Sequence, residues 1–268
     1  MIIREIESKS ILSKTGIPIA DYVINPYVGC SHSCRFCYAR FMKRFTGHAE
    51  EWGDFLDIKV NAPDLIPQNS SRYQGKYIFL SSVTDPYLPL EKKYELTRGI
   101  IEKLIPLKPV LGILTKSDLI LRDIDLIKQF ETSEVGFSFS TMDEKIRKKV
   151  EPAASPIDNR INALKKLHDD GIKTYVFISP ILPYLTDWED IVQKTRDHAD
   201  YFMFENLNVS GTVWAAVKSF LEEKYPDLSS KYWEIYFDED NQYWEFVEEE
   251  IIHFCEKEKL ECKMYFHH

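Results

Sequence analysis

The sequence predicts an α/β protein, a partial parallel (β/α)6 barrel with a C-terminal extension, and three observations predict it. Six short apolar runs recur at residues 21–25, 77–81, 110–114, 135–140, 174–179 and 201–204. They are rich in β-branched and aromatic residues, and most lack a polar alternate face, as strands covered on both sides do. Amphipathic segments separate them, and strand–helix alternation builds a parallel sheet whose right-handed crossovers make a curved, incomplete barrel the simplest closure. Finally, the chain changes character near residue 209, becoming acidic and aromatic (Trp214, Tyr232, Trp233, Tyr236, Trp244).

Taken in order, the run at 21–25 is the first strand and leads directly into a cysteine-rich loop. Residues 42–76 form an insertion that carries no clear periodicity. Helical patterns are expected over 93–105 and 122–130. A further helix over 157–170 places Ile161, Leu164 and Leu167 on one side, with Gly171 as its C-terminal cap. Asp187 is placed to cap a helix reaching about residue 198, with Ile191 and Val192 inward and Glu189 and Asp190 in the first turn. The expected division is a barrel core over 1–208 and an extension over 209–268 packed on it, with a helix near 243–258 and a short strand near 262–266.

The 268 residues carry a net charge of −9. This acidic balance disfavours a nucleic-acid partner, whose binders present a basic face; the nearest approach here is Arg35, Arg40, Lys43 and Arg44. No signal-peptide pattern and no run long enough to span a membrane is present, so a cytoplasmic protein without a membrane partner is expected. Five cysteines without an export signal argue against a disulfide framework.

Three of the five fall in NPYVGCSHSCRFCYAR, giving Cys30-x3-Cys34-x2-Cys37. Closely spaced thiolates on one loop suit a cubane iron–sulfur cluster, and three of them leave one iron open for a ligand such as the amino and carboxylate groups of S-adenosylmethionine (SAM). The alternative is a Cys3His zinc site completed by His32 or His48, in a non-catalytic module. Zinc sites usually draw paired ligands from two knuckles, and His32 is trapped between two of the cysteines. The motif also lies at what would be the C-terminal rim of the barrel, where active sites of such folds are built. Polar groups follow the other runs: Ser82, Thr84 and Asp85; Thr115, Lys116 and Ser117; Ser140 and Thr141; Ser179; Glu205, Asn206 and Asn208. Among them Lys116 stands out, because a cation beside the cluster would pair with the SAM carboxylate.

These features resemble the radical SAM superfamily. The segments NPYVGCSHSCRFCYAR, SSVTDPYLPLEKKYELTR, LTKSDLILRD and YVFISPILPYLTD are similar, in order, to its spore photoproduct lyase-like subgroup. The resemblance covers residues 20–205 and implies a TIM-like partial barrel of the radical SAM type. It implies a [4Fe–4S] cluster on Cys30, Cys34 and Cys37 that cleaves SAM reductively to a 5′-deoxyadenosyl radical, which abstracts hydrogen from a substrate. Phe36, Thr84, Asp85, Lys116, Ser140 and Ser179 would then contact the cofactors: Thr84 and Asp85 at the methionyl end, Lys116 at the carboxylate, Ser140 near the ribose, Ser179 beside the adenine. An electron donor such as flavodoxin or ferredoxin is implied as a partner.

Two positions depart from the lyase pattern. Ser82 stands where the lyase has a hydrogen-donating cysteine, and Phe36 where it has a tyrosine, while Tyr38 keeps the second tyrosine. Tyr38 and Ser82 are thus the candidate catalytic positions. Repair of a DNA photoproduct becomes the secondary reading, because an O–H bond is a far poorer hydrogen donor than S–H. Cys255 and Cys262 read as free core cysteines, with hydrogen donation by one of them the sharper alternative. His168 and His198 sit near helix ends and are assigned no chemistry; His267 and His268 end the chain as native residues or a truncated tag. The stretch 234–250 reads as a solvated acidic face with aromatic anchors.

Overall fold

The computed structural model describes residues 1–267; the second of the two terminal histidines lies outside the described residues. The strands are β1 (Ile2–Ile6), β2 (Leu12–Lys14), β3 (Tyr22–Ile24), β4 (Tyr27–Val28), β5 (Phe55–Lys59), β6 (Tyr77–Leu80), β7 (Val110–Thr115), β8 (Ser133–Phe139), β9 (Lys173–Ile181), β10 (Tyr201–Asn206) and β11 (Cys262–Met264). The helices are α1 (Glu91–Tyr94), α2 (Leu96–Leu104), α3 (Ile124–Ile127), α4 (Glu144–Val150), α5 (Ile157–Asp169), α6 (Trp188–Thr195), α7 (Val213–Lys224), α8 (Pro226–Phe237) and α9 (Tyr243–Glu258). All six apolar runs form strands.

The main sheet runs β11-β10-β9-β8-β7-β6-β3-β2, and every pairing in it is parallel except β2 with β3. It stays open, β2 and β11 forming its edges. Fully buried Ile24, Ile78, Leu111, Ile113, Val135, Phe137, Val176, Ile178, Phe202 and Phe204 place the core along its strands. Successive parallel strands put all their C-terminal ends on one rim, which is where β/α folds collect chemistry.

The insertion resolves into structure through a partner distant in sequence. Its β5 pairs parallel with the N-terminal β1 and antiparallel with β4, making a second, three-stranded sheet. No local period announces such a strand, because its pairing partner lies some fifty residues upstream. Two expected helices are broken. The 93–105 segment divides into α1 and α2 at Glu95, which adopts φ 50°. The 122–130 segment yields only α3, preceded by a 3₁₀ stretch over Asp118–Asp123; the fully buried Asp123 there is held by Arg98 and Arg122. The caps are as expected: Asp187 accepts from the Asp190 amide at 3.0 Å. Gly171, at φ +79°, closes α5 with bonds from its own amide to His168 O and from Ile172 to Leu167 O.

The C-terminal residues enter the main core. Trp244, Val247, Ile251 and Cys255 of α9 belong to the same apolar cluster as the central strands, and β11 extends the parallel sheet beside β10. Cys255 and Cys262 correct the expectation of free thiols: they are disulfide-bonded, with Cα atoms 6.4 Å apart. The turn from α9 into β11 brings them within bridging range, a proximity that their spacing in the chain did not declare. A disulfide has no S–H bond, so neither is a hydrogen donor in this state. No described helix is long and apolar enough to cross a membrane.

Candidate functional site

The cysteine loop leaves β4 through Gly29, whose φ of +90° and contact with β5 admit no side chain: a Cβ there would lie 2.6 Å from Phe55 O. The loop is closed by Ser33 N to Cys30 O (3.2 Å) and Cys37 N to Cys34 O (3.3 Å). It is tied to the residues around the end of α4 by Arg35 N to Val150 O (3.0 Å) and Ala153 N to His32 O (3.4 Å). Thr84 anchors it from the rim, its hydroxyl donating to Gly29 O at 2.6 Å. Cys30 and Cys34 are buried and Cys37 half-buried.

Burial pushes all three thiols above their ordinary range. At Cys37 the rise is opposed by the Ala39 amide, by Arg40 and by the indole of Trp52. That indole Nε1 is buried and makes no directed hydrogen bond, so its donor is available to the nearby Cys37 sulfur. Thiols in such surroundings ionise readily only with a cation among them, so the set fits a metal cluster.

Both histidines that could complete a zinc site are committed elsewhere. His32 Nδ1 bonds Ala153 O at 3.0 Å, and its Nε2 faces Asp85 Oδ2 at 3.2 Å without a directed hydrogen bond. His48 lies between Glu50 (3.0 Å) and Asp57 (2.8 Å).

Around this loop the strand ends assemble a charged cradle. Lys116, directly after β7, places Nζ 3.1 Å from Glu151 Oε1 and donates to Ser138 Oγ. Ser138 in turn donates to Ser179 O at 3.1 Å. Ser140 donates to the same Glu151 oxygen at 3.0 Å. The fully buried Arg160 sits 3.0 Å from Glu151 Oε2, but its Nη1 hydrogen bond goes to Ser138 O at 2.7 Å, so that contact is an ion pair only. Burial alone would raise the Glu151 carboxyl, but Lys116 and Arg160 outweigh it and hold the group down at about 2. The Phe36 ring, packed in the same cluster as Cys34, lies 5.8 Å from Lys116 Nζ.

The remaining candidates divide by what they touch. Asp85 is wholly engaged by the chain: Oδ1 accepts from Tyr87 N (2.8 Å) and Thr115 Oγ1 (2.7 Å), and Oδ2 from Lys116 N (2.8 Å). Burial would raise its pKa, yet His32 and these amides hold it below the ordinary value. Tyr38 and Ser82 are brought together, the half-exposed tyrosine donating to the serine's carbonyl. Ser82 itself is held by Asn25, which accepts from Ser82 N (3.0 Å) and Val83 N (3.1 Å) and donates to Ser82 Oγ (3.3 Å). Ser179 Oγ donates to Glu205 Oε2 at 2.5 Å. Sequence reasoning missed Asn25, Trp52, Glu151 and Arg160. Of these only Asn25 carried a signal, being the polar residue that ends the first strand.

A model of the radical SAM superfamily matches residues 24–194. An uncharacterized protein of Methanocaldococcus jannaschii is 43% identical over 223 residues, 83% of each chain. The radical SAM Nalpha-GlyT isomerase of Pseudomonas phage M6 is 27% identical over 202 residues, covering 75% of this chain and 39% of the isomerase. Among solved structures, spore photoproduct lyase complexed with dinucleoside spore photoproduct superposes with a TM-score of 0.71 at 15% identity, over 99% of this chain and 82% of the lyase. Streptococcus suis SuiB bound to precursor peptide SuiA gives 0.56 at 16% identity, over 92% and 48%. With the family model laid over the cysteine loop and most of the parallel strands, the chain belongs to the radical SAM superfamily.

Proposed function

We propose that the chain is a radical SAM enzyme in which Cys30, Cys34 and Cys37 hold a [4Fe–4S] cluster and the rim beside them holds SAM. The observation that carries this is the loop of two buried thiols and one half-buried thiol set against a lysine on the C-terminal rim of a parallel sheet. When bound, such a cluster passes one electron to SAM, whose cleavage yields methionine and a hydrogen-abstracting 5′-deoxyadenosyl group.

The chain's own residues bind and orient. Lys116 offers a cation to the SAM carboxylate; Glu151 holds its position and balances part of the charge of the Lys116–Arg160 pair. Asp85 fixes the backbone at Lys116 and, with His32, the base of the cysteine loop. Thr84 locks Gly29, and Phe36 covers Cys34 against water. Ser140 and Ser179 line the rim where the nucleoside would lie. Tyr38 and Ser82, adjacent and supported by Asn25, are the groups that would face a substrate radical. A serine hydroxyl is a poor hydrogen-atom donor, so direct repair of a thymine photoproduct by this position is disfavoured. The reductant would be a low-potential carrier such as flavodoxin or ferredoxin.

Anaerobic reconstitution, then incubation with SAM and dithionite, tests the reading. Formation of 5′-deoxyadenosine with about four irons per chain supports it. A colourless protein that binds zinc through the three thiols overturns it.

A further inference from the structure

At the opposite rim of the sheet, where strands begin, lies a second set of metal-type ligands. One ligand atom each from His168, Asp169 and His198 lies within 4.8 Å of the others. His168 and Asp169 end α5, and His198 ends the 3₁₀ turn that follows α6. These are consecutive β/α units, and their helices run into β9 and β10 respectively. The histidine rings are 6.1 Å apart, centroid to centroid, and tilted by 57°.

These three side chains differ from their neighbours in lacking a directed partner, although Lys166 lies close enough to feel the Asp169 charge. Among the described residues, neither ring nor the Asp169 carboxylate makes a hydrogen bond or an ion pair within the chain. By contrast, His32, His48 and His267 all face carboxylates. Next to Asp169, Asp170 is taken up by Lys128 and Lys166. The backbone beneath the ligands is fixed as well: Thr174 Oγ1 donates to His198 O at 2.7 Å, and Gly171 N to His168 O at 2.9 Å. Helix C-termini gather partial negative charge, so the ends of α5 and the following turn favour a cation.

We propose that His168, Asp169 and His198 bind one divalent transition-metal ion, of the class that imidazole and carboxylate select and best represented by zinc. Two imidazoles on one tetrahedral ion bring their centroids to roughly 5 Å, so closure needs a movement of only about 1 Å. Three protein ligands leave a fourth position to water. The ion would clip two adjacent β/α units together at the rim away from the cysteines, where residues of this fold class serve stability. It is independent of the cluster reading, and a bare zinc analysis of the whole protein would mix the two.

The test uses protein whose cysteines already carry iron. Such protein, desalted after exposure to zinc chloride, should retain one zinc per chain in addition to its iron, and zinc should raise its unfolding temperature. The double variant H168A/H198A should lose that zinc and the thermal response while keeping its iron. D169N, altered only at an exposed side chain, should weaken zinc binding about tenfold. Wild-type protein that retains no zinc, or a double variant that retains as much as wild type, overturns the proposal. Should the double variant fail to fold, D169N with unchanged zinc affinity overturns it equally.

Discussion

Replacing Glu151 by glutamine perturbs the centre of the rim. In the folded protein this buried carboxylate faces Lys116 at 3.1 Å and Arg160 at 3.0 Å, and it ionises at about 2 against an ordinary 4.5. A carboxyl held that far down stabilises the folded state by about 3 kcal/mol at neutral pH, at ~1.4 kcal/mol for each tenfold change in proton affinity. Because the group is fully buried, solvent does not screen the pair. The direct estimate agrees: breaking a buried ion pair from one side leaves two stranded cations and costs about 3–5 kcal/mol. For a chain of this length that corresponds to a fall of roughly 6–12 °C in Tm. The sign follows from the lowered pKa. The stabilisation is complete above the unfolded carboxyl's 4.5 and disappears as pH falls through about 2. Urea unfolding of wild type and E151Q at pH 7 and pH 2.5 reads both effects. The variant should be weaker by about 3 kcal/mol at pH 7, with most of that gap closed at pH 2.5. A gap under about 1 kcal/mol at pH 7, or one that does not narrow in acid, refutes the ion-pair account.

Other expectations follow from the same geometry. Alanine at Cys30, Cys34 or Cys37 should abolish retention of iron and sulfide after reconstitution, read by metal and sulfide analysis. Lys116→Met should weaken SAM binding about tenfold or more in equilibrium dialysis, the loss of one charge-assisted contact. Trp52→Phe removes the donor aimed at Cys37 and should lower the cluster's midpoint potential by about 60 mV, the one-electron equivalent of ~1.4 kcal/mol; an unchanged potential in a redox titration refutes that role. Reducing the disulfide between Cys255 and Cys262, seven residues apart in the chain, should destabilise the fold by about 2 kcal/mol, seen as a lower Tm that C255A/C262A reproduces without reductant.

Local pattern carried most of the architecture. Each of the six apolar runs is a strand because burial on both faces leaves a continuous apolar signature that needs no knowledge of neighbours. The cysteine loop was legible for a similar reason: the three cysteines lie within eight residues, so their spacing alone marks them as a candidate ligand set. Lys116 was visible as the one cation among the polar groups that follow the six apolar runs.

The tertiary structure decided which groups those residues meet. Glu151 is 35 positions beyond Lys116 and directly follows α4; only packing makes it the counter-charge of the rim. Asp85 reads as a cofactor contact by position, and the fold spends its oxygens on Thr115, Lys116 and Tyr87. Trp52 and β5 lie in a segment without period, and their roles appear once β1 pairs with β5. The pairing of Cys255 with Cys262 and the convergence of His168 with His198 likewise depend on how a turn closes and how two helices end. Hydrophobic periodicity is a one-dimensional property, set residue by residue. Pairing between polar groups is a matter of three-dimensional distance, which the order of the chain alone does not encode.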